Sequence, residues 1–284
     1  MINVCRYLIL GNGFLGNRFA NFLQDSIISY SRINIVNDVS LQIKEHNPEI
    51  VINTIGKTGR PNIDWCEEHR EETFFSNVTI PALMAEACTN ANIRMVHIGS
   101  GCIYSTNRCS QIGFSEDIKP NFKGSFYSRT KIFAEDILSE YSNILQLRIR
   151  MPIDNIPSPR NLIDKLVGYK QVIGDIPNSV TCIPDLMVIT KKLMDRKETG
   201  IFNVTNSGTI THNQILQMYK DIVDPLYEMP KFIGMEKLKE LTLTGRSNCI
   251  LQNARLEEKG IEIRHVLEAV EDCMKQYAKY RVGN

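Results

Sequence analysis

Little in this sequence is out of balance, and each absence closes a possibility. Lys and Arg number 33 against 32 Asp and Glu, a net charge of +1. No single-sign field therefore exists to hold nucleic acid or an anionic membrane, and any anion must be bound locally. No apolar run approaches the roughly 18 residues of a membrane span. The first residues lack the basic segment, long apolar core and cleavage site of a signal peptide, so a soluble, unprocessed protein is expected. The eight cysteines (5, 66, 88, 102, 109, 182, 249 and 273) form no CxxC pair, and several fall in apolar runs as buried thiols do. A reducing, cytoplasmic setting is expected. Cys66 and His69 have ligand-like spacing but no second pair beside them, so no metal site is expected.

What is present is an alternation. Short apolar runs at 4–10, 26–30, 50–55, 94–98 and 144–150 are separated by amphipathic stretches at 14–24, 39–46, 63–90 and 126–141. Repeated βαβ units around a parallel sheet have this signature. Beyond Met151-Pro152 the prolines at 157, 159, 177, 184, 225 and 230 break the chain into shorter pieces, with a strand at 200–204 and helices near 212–223, 233–240 and 264–280. A boundary near residue 155 is expected.

Leu8-Ile9-Leu10-Gly11-Asn12-Gly13-Phe14-Leu15-Gly16 sets a GxGxxG run between the first strand and the first helix. Gly11 permits the turn, Gly13 admits a pyrophosphate close to the backbone, and Gly16 lets the helix pack tightly. The helix N-terminus then offers N–H donors to the anion. At the end of the second strand an acidic residue favours NAD, whereas an Arg pairs with the 2′-phosphate of NADP. Here stand Ser31 and Arg32, which favour NADP; Asp38, six residues on, is read as a helix cap. The expected cofactor contacts are Gly11, Gly13, Phe14, Leu15, Gly16, Ser31, Arg32 and Asn53, joined by Tyr127 and Lys131. The fold class is thus α/β: a Rossmann-type doubly wound parallel sheet over residues 1–155 that binds NADP, with a smaller, mostly helical substrate lobe over 156–284, some of whose segments return to the sheet.

Ser100 ends the fourth strand, where open α/β sheets bind ligands. Tyr127 and Lys131 lie at i and i+4 on one helix face. A phenol with a pKa near 10 becomes useful at neutral pH only beside a cation. Together with the glycine loop, these three match the Ser/Tyr/Lys arrangement of short-chain dehydrogenases, where the Tyr protonates the alkoxide made by hydride transfer, the Ser bonds the same oxygen, and the Lys holds the ribose.

Longer blocks are more specific. They are Gly56-Lys57-Thr58-Gly59-Arg60-Pro61-Asn62-Ile63-Asp64-Trp65-Cys66-Glu67, Gly101-Cys102-Ile103-Tyr104, the 120–128 stretch ending in Tyr127-Ser128, Arg148-Ile149-Arg150-Met151-Pro152, Asp175-Ile176-Pro177-Asn178-Ser179 and Ser207-Gly208-Thr209-Ile210-Thr211-His212-Asn213. In these the chain resembles the nucleotide-sugar branch of the extended short-chain dehydrogenase/reductase family, and most of all the epimerase/reductase half of plant UDP-L-rhamnose synthases. The resemblance implies UDP-4-keto-6-deoxy-D-glucose as substrate, inverted at C3 and C5 and then reduced at C4 by NADPH. Epimerisation needs a base and an acid beyond Ser100, Tyr127 and Lys131. Cys102 sits in a Ser-Gly-Cys-Ile-Tyr run similar to that of GDP-fucose synthase, whose Cys works in epimerisation. Thiols beside cations ionise readily enough to serve as bases. Lys165, in Asn161-Leu162-Ile163-Asp164-Lys165, matches a Lys of the plant enzymes and is the candidate proton donor or enolate stabiliser.

For substrate binding the resemblance and residue chemistry point to Arg60, Asn62, Asn161 and Arg246, the last because a guanidinium fork suits a pyrophosphate. A separate 4,6-dehydratase is expected to supply the keto sugar, and a homodimer is the family habit. Two alternatives stand: a monofunctional dTDP- or UDP-4-keto-sugar reductase, which leaves Cys102 without a role, and a non-catalytic NADP-binding regulatory subunit, which loss of Tyr127 or Lys131 would have marked.

Overall fold

A computed structural model describes residues 5–106 and 113–282; Val4, which opens the first apolar run, and Cys109 lie outside the described residues. The chain forms two units, one of Met1–Ile103, Phe122–Arg148 and Leu193–Phe202, the other of Tyr104–Asn121, Ile149–Lys192 and Asn203–Asn284. Among the described residues the strands are β1 (Tyr7–Leu10), β2 (Ser26–Ser29), β3 (Ile50–Asn53), β4 (Arg94–Ser100), β5 (Ile144–Ile149), β6 (Pro152–Ile153), β7 (Gln171–Ile173), β8 (Thr181–Cys182), β9 (Gly200–Asn203) and β10 (Lys231–Ile233).

The first unit is built on a six-stranded sheet in the order β2-β1-β3-β4-β5-β9. Every residue of β1, β3 and β5 is buried, which is why β1 and β3 read as nearly continuous apolar runs rather than alternating ones, whereas β5 also buries Gln146 and Arg148. β1 pairs in parallel with β2 on one side and β3 on the other, so the strand order reverses between β1 and β3. Ligands bind at the carboxyl end of such a switch point, and here it carries the glycine loop after Leu10 and the loop after Asn53. Leu8, Leu10, Val51 and Met95 pack with Met84, Ala85 and Cys88 of the Ile80–Asn90 helix.

The amphipathic stretch at 63–90 is not one helix. It runs as Trp65–Glu68, Arg70–Phe74, a π-helical turn Phe75–Thr79, and Ile80–Asn90. Pro81 has no N–H to give to the carbonyl four residues back, that of Asn77, and the wider turn absorbs the misfit. Asp38 caps as expected: its carboxylate accepts from Asn34 N at 2.8 Å and Ile35 N at 3.1 Å, ahead of the Val36–His46 helix.

The second unit is mostly helical, with two small parallel pairs, β6 with β8 and β7 with β10. Its core joins Ile163 and Leu166, Ile215 and Leu216, and Val266, Val270 and Met274, from the helices Leu162–Gly168, His212–Ile222 and Val266–Val282.

Candidate active site

The glycine loop has the shape its spacing predicts. Gly11 has φ +112, and a Cβ there would lie 2.7 Å from Thr54 Oγ1. Gly16 is tighter: a Cβ would stand 1.8 Å from the carbonyl oxygen of Gly11. Thr54 locks the turn by donating its hydroxyl to the Gly11 carbonyl at 2.9 Å. At Gly13 a Cβ would meet nothing within 4 Å, and no side chain caps the Phe14–Phe22 helix that begins there. The open space in front of unclaimed N–H groups fits a pyrophosphate. Ser31 and Arg32 are exposed beyond β2, with Ser31 Oγ accepting from Gln42 at 3.0 Å.

Asn53, an expected cofactor contact, ends β3. It is fully buried, its Oδ1 accepts from Ile55 N at 2.9 Å, and its Nδ2 meets His97 Nδ1 at 3.0 Å. Held in this way, the Asn53 amide shapes the loop after β3. Since an amide NH₂ only donates, His97 Nδ1 is the acceptor and the ring is protonated on Nε2. Burial, reinforced by the Lys131 charge, keeps His97 well below its ordinary pKa and thus neutral.

Four of the candidate catalytic residues come together in the first unit. Ser100, 5% exposed, ends β4, and its Oγ accepts the Cys102 N–H at 3.1 Å. Tyr127 and Lys131 lie in the first turns of the Phe126–Leu138 helix, each 7% exposed. Lys131 Nζ reaches the Ile98 carbonyl on β4 at 3.4 Å. Burial pulls Lys131 down to about 8, against the opposing influence of Cys102 nearby. Of the described cysteines, six are buried and Cys102 alone is half-buried.

Several residues to which the sequence assigned no site role hold this group in place. Ser125 caps the helix by accepting Ser128 N–H at 3.0 Å, and Glu67 accepts the N–H of Phe126. Asn77, in the π-helical turn, accepts Lys57 N–H at 2.7 Å and donates to Thr130 Oγ1 at 3.1 Å, tying the loop after β3 to the catalytic helix. Deeper along that helix, Glu135 receives two 2.7 Å bonds from Arg148 of β5, both side chains buried. The block Arg148-Ile149-Arg150 thus supplies two buried guanidiniums with different partners: Arg150, in the second unit, donates to Asn178 Oδ1 at 2.6 Å and to the Ser247 carbonyl at 2.7 Å.

Arg60 is exposed and Asn62 half-buried in the loop after β3, where Asn62 Oδ1 accepts from Asp64 N at 2.8 Å. Lys165, Asn161 and Arg246 belong to the second unit. Lys165 is half-buried on the Leu162–Gly168 helix. Asn161, an expected substrate contact, is fully buried, accepts from Ile163 N and Asp154 N, and donates to the carbonyls of Asp154 and Ile156. All four hydrogen-bonding positions of its amide are taken within the protein, and it is the N-cap of the Lys165 helix. Arg246 lines an open cleft of about 1020 Å³ together with Asp175, Pro177, Gly234, Lys239 and Asn248. Among the described residues no group of three or more His, Cys, Asp or Glu is placed to hold a metal.

Residues 8–152 match the model of the NAD dependent epimerase/dehydratase family, and the chain belongs to that family. It is 36% identical over 274 residues to the bifunctional dTDP-4-dehydrorhamnose 3,5-epimerase/dTDP-4-dehydrorhamnose reductase of Arabidopsis thaliana, covering 93% of this chain and 90% of that protein. A trifunctional UDP-glucose 4,6-dehydratase/UDP-4-keto-6-deoxy-D-glucose 3,5-epimerase/UDP-4-keto-L-rhamnose-reductase of the same plant is 36% identical over 275 residues, with the chain spanning 41% of its length. Among solved structures, the L780 UDP-rhamnose synthase from Acanthamoeba polyphaga mimivirus is similar at a TM-score of 0.90 and 30% identity, over 96% of this chain and 99% of that one.

Proposed function

We propose that the chain is a bifunctional 3,5-epimerase and NADPH-dependent 4-reductase that converts UDP-4-keto-6-deoxy-D-glucose to UDP-L-rhamnose. The observation that carries this reading is the half-buried Cys102 held beside Ser100, on the same unit as Tyr127 and Lys131. A plain reductase has no use for a thiol there. Relatives named for both activities support the pairing.

When bound, NADPH supplies the hydride that reduces the C4 carbonyl. Gly13 and the N–H groups of the Phe14–Phe22 helix take its pyrophosphate, and Arg32 the 2′-phosphate. Tyr127 gives its phenolic proton to the C4 oxygen as that oxygen becomes an alkoxide. Ser100 accepts from the Cys102 N–H, which leaves its own proton to donate to the same oxygen. Lys131, with a pKa of about 8, is an ammonium at neutral pH and favours the phenolate that remains. Before reduction the ketone acidifies the C3 and C5 protons; Cys102 removes each as base, and a proton returns to the opposite face of the carbon. Lys165 is the acid of this reading, on the strength of its sequence run. Arg246 and its cleft take the nucleoside diphosphate.

A 4,6-dehydratase acts upstream to make the ketone, and the protein works as a cytoplasmic homodimer. The exposed side chains of Phe74, Phe133 and Ile137 on the first unit support a second copy there. Buried thiols support a reducing compartment.

The test incubates the protein with UDP-4-keto-6-deoxyglucose and NADPH in D₂O and reads the product by proton NMR. Deuterium at both C3 and C5 of a rhamnosyl product is the expected result, lost in Cys102→Ala and Lys165→Ala, while Tyr127→Phe mainly stops reduction. NADPH oxidation with protium retained at both carbons would leave a monofunctional reductase.

A further inference from the structure

The Cys102 peptide is held at both ends. Its N–H donates to Ser100 Oγ at 3.1 Å, and its carbonyl accepts from Ser128 Oγ at 2.7 Å. Ser128 is the residue after Tyr127 on the catalytic helix and is completely buried. Its hydroxyl also receives a bond from Ser125 Oγ at 2.8 Å, while Ser125 Oγ accepts the Ser128 N–H at 3.0 Å. Each hydroxyl has one proton to give. With the Ser125 proton on Ser128, the Ser128 proton is committed to Cys102, and the direction of the chain Ser125 to Ser128 to Cys102 is set.

Helix formation does not ask for a hydroxyl at 128. The cap is Ser125, and Ala is a better helix former than Ser at the next turn. What the Ser128 hydroxyl adds is its bond to the peptide of the one described cysteine that is not buried. Removing it leaves that carbonyl without this donor and lets the peptide shift, while Tyr127 and Lys131 stay on a helix fastened elsewhere by Glu67, Asn77 and Arg148.

We propose that Ser128 is a positioning residue for epimerisation: through the Cys102 carbonyl it fixes the thiol-bearing peptide to the helix that carries the reductive groups. The proposal rests on the reading of Cys102 as the epimerisation base. Inversion and reduction share a scaffold but are separable at this one hydrogen bond.

The test uses the full chain with UDP-4-keto-6-deoxy-D-glucose and NADPH in D₂O, reading deuterium at C3 and C5, and separately measures NADPH oxidation with UDP-4-keto-L-rhamnose supplied directly. For Ser128→Ala the expectation is a loss of exchange of about ten- to hundredfold, the scale on which a displaced reacting group acts. Reduction of the supplied ketone should stay within about threefold of wild type. A merely structural role would lower both together, so a ratio of exchange to reduction equal to that of wild type overturns the proposal. A wild-type chain that reduces without exchange overturns it too, and also ends the Cys102 reading beneath it; the wild-type spectrum tells the two failures apart. Should Ser128→Ala not fold, Ser128→Cys fills similar space with a weaker donor. Its ratio is expected below that of wild type, and an unchanged ratio there overturns the proposal.

Discussion

Lys131 sits where its charge is disfavoured: 7% exposed, with a pKa pulled by burial to about 8 from an ordinary value near 10.5. The unfolded chain therefore binds more protons than the folded one between those two values, and stability rises with pH across that window. The cost is full below pH 8 and gone above 10.5. Replacing the ammonium by an apolar side chain of similar length should remove it. Lys131→Met is expected to abolish reduction while stabilising the fold at pH 7 by about 3 kcal/mol, a gain that shrinks as the pH rises through 8 to 10.5. Urea unfolding at pH 7 and pH 10 checks both the sign and the trend. At this same scale two asparagines differ in how far the sequence reveals their bonding within the fold. Asn161 stands just before a helical run, the ordinary place for an N-cap, and its side chain caps that helix. Asn53 gives no local signal, because the partner that occupies its Nδ2 is His97 on the neighbouring strand.

The strands of the first unit were legible because their apolar signal is strong: β1 and β3 are short, wholly buried and almost wholly apolar, and β2, β4 and β5 each keep an apolar centre. The π-helical turn was not, since it arises from one missing N–H at Pro81 and leaves no hydrophobic trace. The start of the Phe126–Leu138 helix is likewise settled at a distance in sequence. Glu67 bonds the Phe126 N–H and faces Arg70 at 3.2 Å and Arg129 at 3.7 Å, and both guanidiniums lie against the Phe126 ring. Glu67 is a carboxylate at the positive end of the helix dipole, and it offsets two cations that would otherwise sit there. Glu67→Ala should lower stability by about 1–2 kcal/mol in urea unfolding at pH 7, and Glu67→Gln, which keeps an acceptor for Phe126, by less. Equal losses in the two variants would show that the charge, and not the capping bond, is what matters.

At the scale of the whole molecule, acid is the weakness. His212 donates from Nδ1 to the Ile173 carbonyl at 3.0 Å, and burial lowers it to about 4; His97 is held low for the same reason. Both are neutral when folded and free to take a proton near 6.5 when unfolded. Stability contributed in this way is present above pH 6.5 and lost as the pH falls through the folded values. His212 alone should cost about 2 kcal/mol on going from pH 7.5 to pH 5, seen as a lower urea midpoint that His212→Asn flattens. Family and fold class were readable from the blocks spread along the chain; which residue contacts which was less so, because the chain leaves and re-enters each unit. That path leaves its mark on the sheet. β5 is complete at Ile149, but the strand that lies beside it, β9, begins only at Gly200. On a ribosome adding roughly 5–20 residues per second, the apolar edge of β5 stands open for several seconds before its neighbour emerges. An open strand edge invites the wrong partner. The nascent chain is thus most exposed to misassembly in mid-synthesis, and a fragment that stops near residue 155 would carry that open edge for good.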